Sequence, residues 1–152
     1  MPKTRLSDVR RRLPRLFSQD YPQVLNHFDL QEPNIYVSIA GEGHVDGVVD
    51  WVDARVSPFG MSLYGLETLL GFLGQSGWVW HARNEHLRGV FREEFYKTAG
   101  SPNLQAQERL ADIEAARALA ILRLYAPREH QDPDSREAFL TMLEAFLEVR
   151  AL

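Results

Sequence analysis

The sequence predicts a mainly α, α+β fold: a helical bundle with one small β-hairpin. Three observations carry this. Residues 1–17 place Leu6, Val9, Leu13, Leu16 and Phe17 at helical spacing among basic residues. Two β-branched runs, Ile35-Tyr36-Val37-Ser38-Ile39 and Val45-Asp46-Gly47-Val48-Val49, flank the glycine-rich stretch Ala40 to His44. From Met61 onward the apolar period is helical almost to the end.

In chain order, residues 1–17 read as a basic amphipathic helix that Pro14 ends or kinks. Ser18 to Pro22 connects it to the short apolar run Val24-Leu25, and the hairpin follows. Met61 to Leu73 has Leu63, Leu66, Leu69, Leu70 and Leu73 as a helical stripe, and Glu85 to Tyr96 has Leu87, Val90, Phe91 and Phe95. A long helix is expected from Ser101-Pro102, a good cap and first-turn pair, to about Tyr125. A last helix is expected from about Ser135 to Val149, burying Phe139, Leu143, Phe146 and Leu147. The chain is read as one domain, 1–152, in three stretches: the basic helix 1–17, a loop-and-hairpin segment 24–54, and a helical region 60–152.

Composition narrows the function classes. With 152 residues, 45% hydrophobic and 25% charged, the chain is long enough for a core of its own. It has no cysteine, which rules out disulfides and thiolate metal sites. No apolar run approaches the ~20 residues that span a bilayer, and no signal-like stretch follows the basic start, so a cytoplasmic protein with no membrane partner is expected. Lys3, Arg5, Arg10, Arg11, Arg12 and Arg15 crowd the first 17 residues against Asp8 alone, although the whole chain is net −4. The rest is therefore acidic. A solvated basic helix face explains the cluster better than a nucleic-acid surface, and no nucleic-acid partner is expected.

The chemistry-bearing residues gather around the hairpin. With the turn centred on Glu42, Asn34 faces Asp50 at the hairpin's open end, and Asp29 enters the same mouth from the preceding loop. An amide oxygen and a carboxylate at that separation share a hard cation well. Phosphoryl transfer asks for such a set: metal to neutralise phosphate, and a separate carboxylate to orient the attacking hydroxyl. In isolation, Asp and Asn at a hairpin end also serve turns. His81 and His86, five apart, miss the spacing of a helical zinc pair and read as surface or capping residues. Trp78 and Trp80 read as packing residues or pocket liners.

The ordered pattern His27-x-Asp29-x-x-x-x-Asn34-Ile35, then Gly47-Val48-Val49-Asp50-Trp51-x-Asp53-Ala54, resembles the aminoglycoside phosphotransferase (choline-kinase-like, protein-kinase-like) superfamily. Ser57 to Glu67 is similar to its branch in filamentous fungi. The resemblance implies a kinase-like C-terminal lobe and transfer of phosphate from ATP to a small-molecule hydroxyl. It implies Asp29 as catalytic base, Asn34 and Asp50 as magnesium ligands, and His27, Trp51 and Asp53 in support. Phe28, where a small residue is common, and Ser62, where an acid is common, depart from the family and put the packing and bracing of the loop in question.

The residues before His27 hold only Lys3 and no phosphate-covering loop, so the N-lobe is expected to be missing and the chain alone inactive as a kinase. An N-lobe partner or self-association is expected. The acids Glu108, Asp112, Glu114, Glu129, Asp132 and Asp134 suit a cationic acceptor, and a solvated helix face accounts for them equally well. Two alternatives stand beside phosphotransferase chemistry: a non-catalytic, pseudokinase-like binding module, and a different small-molecule enzyme reusing the open cleft.

Overall fold

The computed structural model describes residues 3–39, 43–99 and 104–149. Their order is α1 (Lys3–Leu16), β1 (Gln23–Asn26), β2 (Ile35–Val37), β3 (Val45–Val48), β4 (Arg55–Pro58), α2 (Gly65–Leu69), β5 (Gly71–Gly74), β6 (Gly77–Trp80), α3 (Asn84–Ala99), α4 (Leu104–Tyr125) and α5 (Pro133–Glu148). Single 3-10 turns, Glu32–Asn34 and Met61–Tyr64, precede β2 and α2. The strands pair antiparallel as β1–β4, β2–β3 and β5–β6, so the fold is mainly α with small sheets, as predicted.

Helix α4 is the axis. Ala115, Ala116, Ala118 and Ala120 are buried along it, and such small side chains let α1, α5 and the 61–64 turn approach closely. Val9 and Leu16 from α1, Met61 and Tyr64 from the turn, Ile121 from α4, and Leu143, Phe146 and Leu147 from α5 complete the core. Full burial of one such large side chain stabilises by roughly 1.5–3 kcal/mol. Asp132 caps α5 by accepting the Ser135 N–H at 2.9 Å.

Several expectations need correction. Pro14 lies inside α1 and does not end it, because its missing N–H falls in the last turn, where Phe17 still donates to Leu13 O. The basic face of α1 is only partly solvated. Arg12 Nη1 and Arg15 Nε reach the buried Asp112 at 2.5 and 2.7 Å, and Arg15 also meets Glu108. Leu6 and Phe17, expected in the apolar stripe, are exposed.

The helix read over Met61 to Leu73 is a 3-10 turn and five residues of α2, and then the chain enters a second hairpin, β5–β6. Gly71 permits it: a Cβ there would lie 2.6 Å from Val79 O. Trp78 and Trp80 do pack, both against Phe146, with centroids 4.8 and 6.1 Å away. His81 and His86 are exposed, as expected. The expected start of α4 at Ser101-Pro102 and the hairpin tip at 40–42 lie outside the described residues.

A buried carboxylate ties the second half together. Glu67 of α2 accepts from Arg88 of α3 at 2.8 Å and from Arg117 of α4 at 2.7 Å. Arg117 also donates to Phe146 O and Val149 O at the end of α5. Burial pushes the Glu67 carboxyl up, and the two guanidiniums oppose that shift. Removing one partner of such a group strands the others without water. Glu67→Gln should therefore lower unfolding free energy by on the order of 3 kcal/mol, read as a shifted urea midpoint with unchanged slope.

Candidate active site

Asn26, at the end of β1, is buried and anchors the loop that follows. Its amide nitrogen donates to Val24 O at 3.1 Å, Ser57 O at 3.0 Å and Ser57 Oγ at 2.8 Å. Its Oδ1 accepts from Ser62 N and Ser62 Oγ, both at 3.0 Å. Ser62 Oγ in turn accepts the His27 N–H at 2.9 Å. Ser62, read as a weakening departure, is thus a direct brace of the loop.

His27 is buried and joins the loop to the far side of the first hairpin. Its Nδ1 accepts the Asp29 N–H at 3.1 Å, and its Nε2 lies 2.8 Å from Val49 O. Only the tautomer with the proton on Nε2 satisfies both bonds, because a carbonyl can only accept. Trp51 packs on the ring edge-to-face, centroids 4.7 Å apart, and donates Nε1–H to Val48 O at 2.8 Å. His27 and Trp51 are therefore bracing side chains with their polar atoms already engaged.

Asp29 is partly exposed, and amides hold its carboxylate from two sides. Asn34 Nδ2 donates to Asp29 Oδ2 at 2.9 Å and to Asp29 O at 2.7 Å. Gln31 Nε2 donates to Asp29 Oδ1. Spending its N–H₂ on Asp29 leaves Asn34 Oδ1 as its available acceptor. Leu30 N–H donates to the buried Tyr64 hydroxyl at 3.1 Å. Burial pushes the Tyr64 phenol up to about 12; the Leu30 bond lowers it, while Asp29 and then Asp53 raise it further.

The register of the first hairpin differs from the expected one. Ile35 faces Val48, Tyr36 faces Gly47 and Val37 faces Val45, so Asp46 is an extra, bulged residue on β3. Asn34 consequently aligns with Val49, whose N–H donates to Asn34 O at 3.0 Å. Asp50 stands one residue beyond, exposed, with φ at +59°. The left-handed turn follows directly on the bond that fixes Val49, and it redirects the chain at the position expected to supply a carboxylate. Asp53 makes no hydrogen bond to Asp29 or Asn34. It is exposed and lies 3.9 Å from Arg55.

Among the described residues no three His, Cys, Asp or Glu side chains gather as a metal cluster. Asn34 is aligned with Val49, so the exposed Asp50 carboxylate stands one residue beyond the position facing it rather than opposite it. A groove of about 250 Å³, lined by Asp8, Val9, Arg12, Glu114 and Tyr96 among others, shares no residue with the 26–34 loop. It is set apart from this chemistry.

Sequence reasoning missed Asn26, Gln31 and Tyr64. Asn26, next to His27 and at the end of an apolar run, was a readable signal for a buried polar anchor. Nothing local marked Tyr64. Phe28, the other departure, is buried between elements, with Arg55 and Arg123 each placing a guanidinium over its ring.

The phosphotransferase enzyme family model, APH, matches residues 3–66, a stretch that includes the whole cluster from Asn26 to Tyr64. The resemblance read from the sequence is borne out over that segment. No curated protein and no solved structure matches the chain.

The anchor gives a direct test. Asn26→Ala should remove the buried amide that joins Ser57 to Ser62 and lower stability by on the order of 3 kcal/mol. Chemical denaturation reads the loss, and weaker amide-exchange protection at His27 and Asp29 should accompany it.

Proposed function

We propose, from the match of residues 3–66 to the phosphotransferase enzyme family model, that the chain serves ATP-dependent transfer of phosphate to a small-molecule hydroxyl. The observation that carries this reading is the amide grip on Asp29: Asn34 and Gln31 orient its carboxylate at the end of a loop fixed by buried bonds. In this role Asp29 accepts a hydrogen bond from the acceptor hydroxyl, aligns its oxygen for attack on the γ-phosphorus, and receives the proton as the new P–O bond forms, while the bond from that phosphorus to the β,γ-bridging oxygen breaks and ADP leaves. Asn34 Oδ1 and the Asp50 carboxylate would hold magnesium. The ion's contribution when bound is neutralisation of phosphate charge. His27, Trp51, Asn26 and Ser62 act by holding Asp29 and the Val49–Asp50 segment in a fixed relation.

The 152 residues contain two lysines, Lys3 and Lys97, and Lys97 pairs with Glu94 on an exposed helix face. In this reading the lysine that grips the β- and γ-phosphates comes from an N-lobe. Exposed Leu25 and Val56, cross-strand neighbours on β1–β4, together with Tyr36, Val37, Val45 and Trp51 support a covering partner or self-association at this face. The same shortage of lysine favours the second reading, a binding module that keeps the loop without turnover.

Two measurements test the proposal. Manganese relaxation titration should show weak binding that falls at least ~10-fold in Asp50→Ala; equal binding by the two proteins removes the metal assignment. The chain alone should show background ATP turnover, and an N-lobe from a family member supplied in trans should raise it. Asp29→Asn should then lower the restored rate by roughly 10²–10⁴-fold. Absence of any rescue with a docked N-lobe decides for the binding module.

A further inference from the structure

Phe28 is 6% exposed and directly precedes Asp29. The guanidinium carbon of Arg55, from β4, lies 5.0 Å from its ring centroid, and that of Arg123, from α4, lies 5.1 Å away. The two cations are thus no further apart than the sum of those distances. They arrive from elements 68 residues apart in sequence. Each attraction to the ring is modest, about 0.5–1 kcal/mol at exposed sites, while like charges drawn to one place repel.

Neither cation is neutralised well. Arg55 meets the Asp53 carboxylate only at 3.9 Å and otherwise donates to Asp53 O at 3.3 Å. Arg123 has no hydrogen bond or ion pair to the described residues, and its side chain is exposed. Most other arginines around the core are tied: Arg12 and Arg15 to Asp112, Arg88 and Arg117 to Glu67. The nearest loop carboxylate, Asp29, is engaged by Gln31 and Asn34. The Phe28 ring therefore has two forked donors against it, next in sequence to the candidate catalytic Asp29. A planar fork is the side-chain geometry best matched to phosphate and carboxylate oxygens.

We infer that Arg55 and Arg123, spaced by Phe28, form an oxyanion site that takes a phosphate group. Its place next to Asp29 makes it the acceptor side of the transfer, a designation that rests on the proposed function; the site itself does not. The ligand is either free phosphate or a phosphate already carried by a hydroxylated acceptor. Phe28, in place of a smaller residue, gives both forks one ring to rest on.

The test is binding, so it needs neither nucleotide nor turnover, and a failure of phosphoryl transfer leaves it intact. Arginine Nε–Hε resonances of the full 152-residue chain are followed by NMR during titration with inorganic phosphate, then with glycerol 3-phosphate, at constant ionic strength. The Arg55 and Arg123 signals should move together and saturate. Arg123→Gln or Arg55→Gln should weaken binding at least ~10-fold, as loss of a charge-assisted bond does. Phe28→Leu keeps both charges and should weaken it several-fold, which general electrostatic attraction would not produce. Tighter binding of glycerol 3-phosphate identifies an acceptor, and tighter binding of inorganic phosphate identifies the free ion. Unsaturable shifts, or wild-type affinity in the Arg55→Gln, Arg123→Gln double variant, overturn the site. Thermal melts of the arginine variants should match the parent because both arginines are exposed, while Phe28→Leu, at a buried position, should melt somewhat lower yet cooperatively, so binding is compared on folded protein in every case.

Discussion

The fold depends on satisfying charge where water cannot reach. Helix α4 buries Asp112 and Arg117 along with its alanines, and each demands partners from a different part of the chain. Asp112 draws Arg12 and Arg15, which fixes α1 against α4. Arg117 meets Glu67, which also holds Arg88, so α2 and α3 join α4 at one carboxylate, and Arg117 carries the link on to the end of α5. Buried ion pairs add little net stability over apolar packing, yet breaking one is costly. Their effect here is to select which helices meet.

That selection reaches the candidate site through the 61–64 turn. The turn packs on α4, with Gly60 at φ +101° so close to Ile113 that a Cβ would lie 2.9 Å from its side chain. It carries Ser62 and Tyr64, whose hydroxyls receive the His27 and Leu30 N–H groups. Tyr64 also meets Tyr125 edge-to-face, with centroids 6.5 Å apart. The loop bearing Asp29 is therefore positioned from beneath by the helical body. On its far side His27 carries the same constraint to Val49.

Much of this was legible in the sequence wherever period and spacing decide. The helices α1, α3, α4 and α5 lie where a helical apolar period was read, although Leu6, Phe17, Leu87 and Val90 of those stripes are exposed, and the first hairpin follows its β-branched runs. The spacing from His27 to Asn34 identified the loop, and the structure links His27, Asp29 and Asn34 by hydrogen bonds. The hairpin register was not legible, because the bulge at Asp46 depends on local twist that no residue pattern announces. The leucines from Leu63 to Leu73 fit a helix and a buried turn-and-strand equally well; the close approach at Gly71 decides between them, and that is a tertiary fact. Ser62 looked like a loss because the expected partner was an acid. A hydroxyl that both accepts and donates does the bracing once a buried Asn26 stands beside it.

Asp50 has a consequence for how this surface would change under selection. A non-glycine residue at φ +59° gives up backbone ease, on the order of 1 kcal/mol. Glycine at 50 is thus a single step toward a more stable chain, at the loss of an exposed carboxylate that holds no packing together. A library sorted for heat resistance alone would take that step early, and one sorted for the proposed metal binding would refuse it. Position 50 is where those two histories would first diverge.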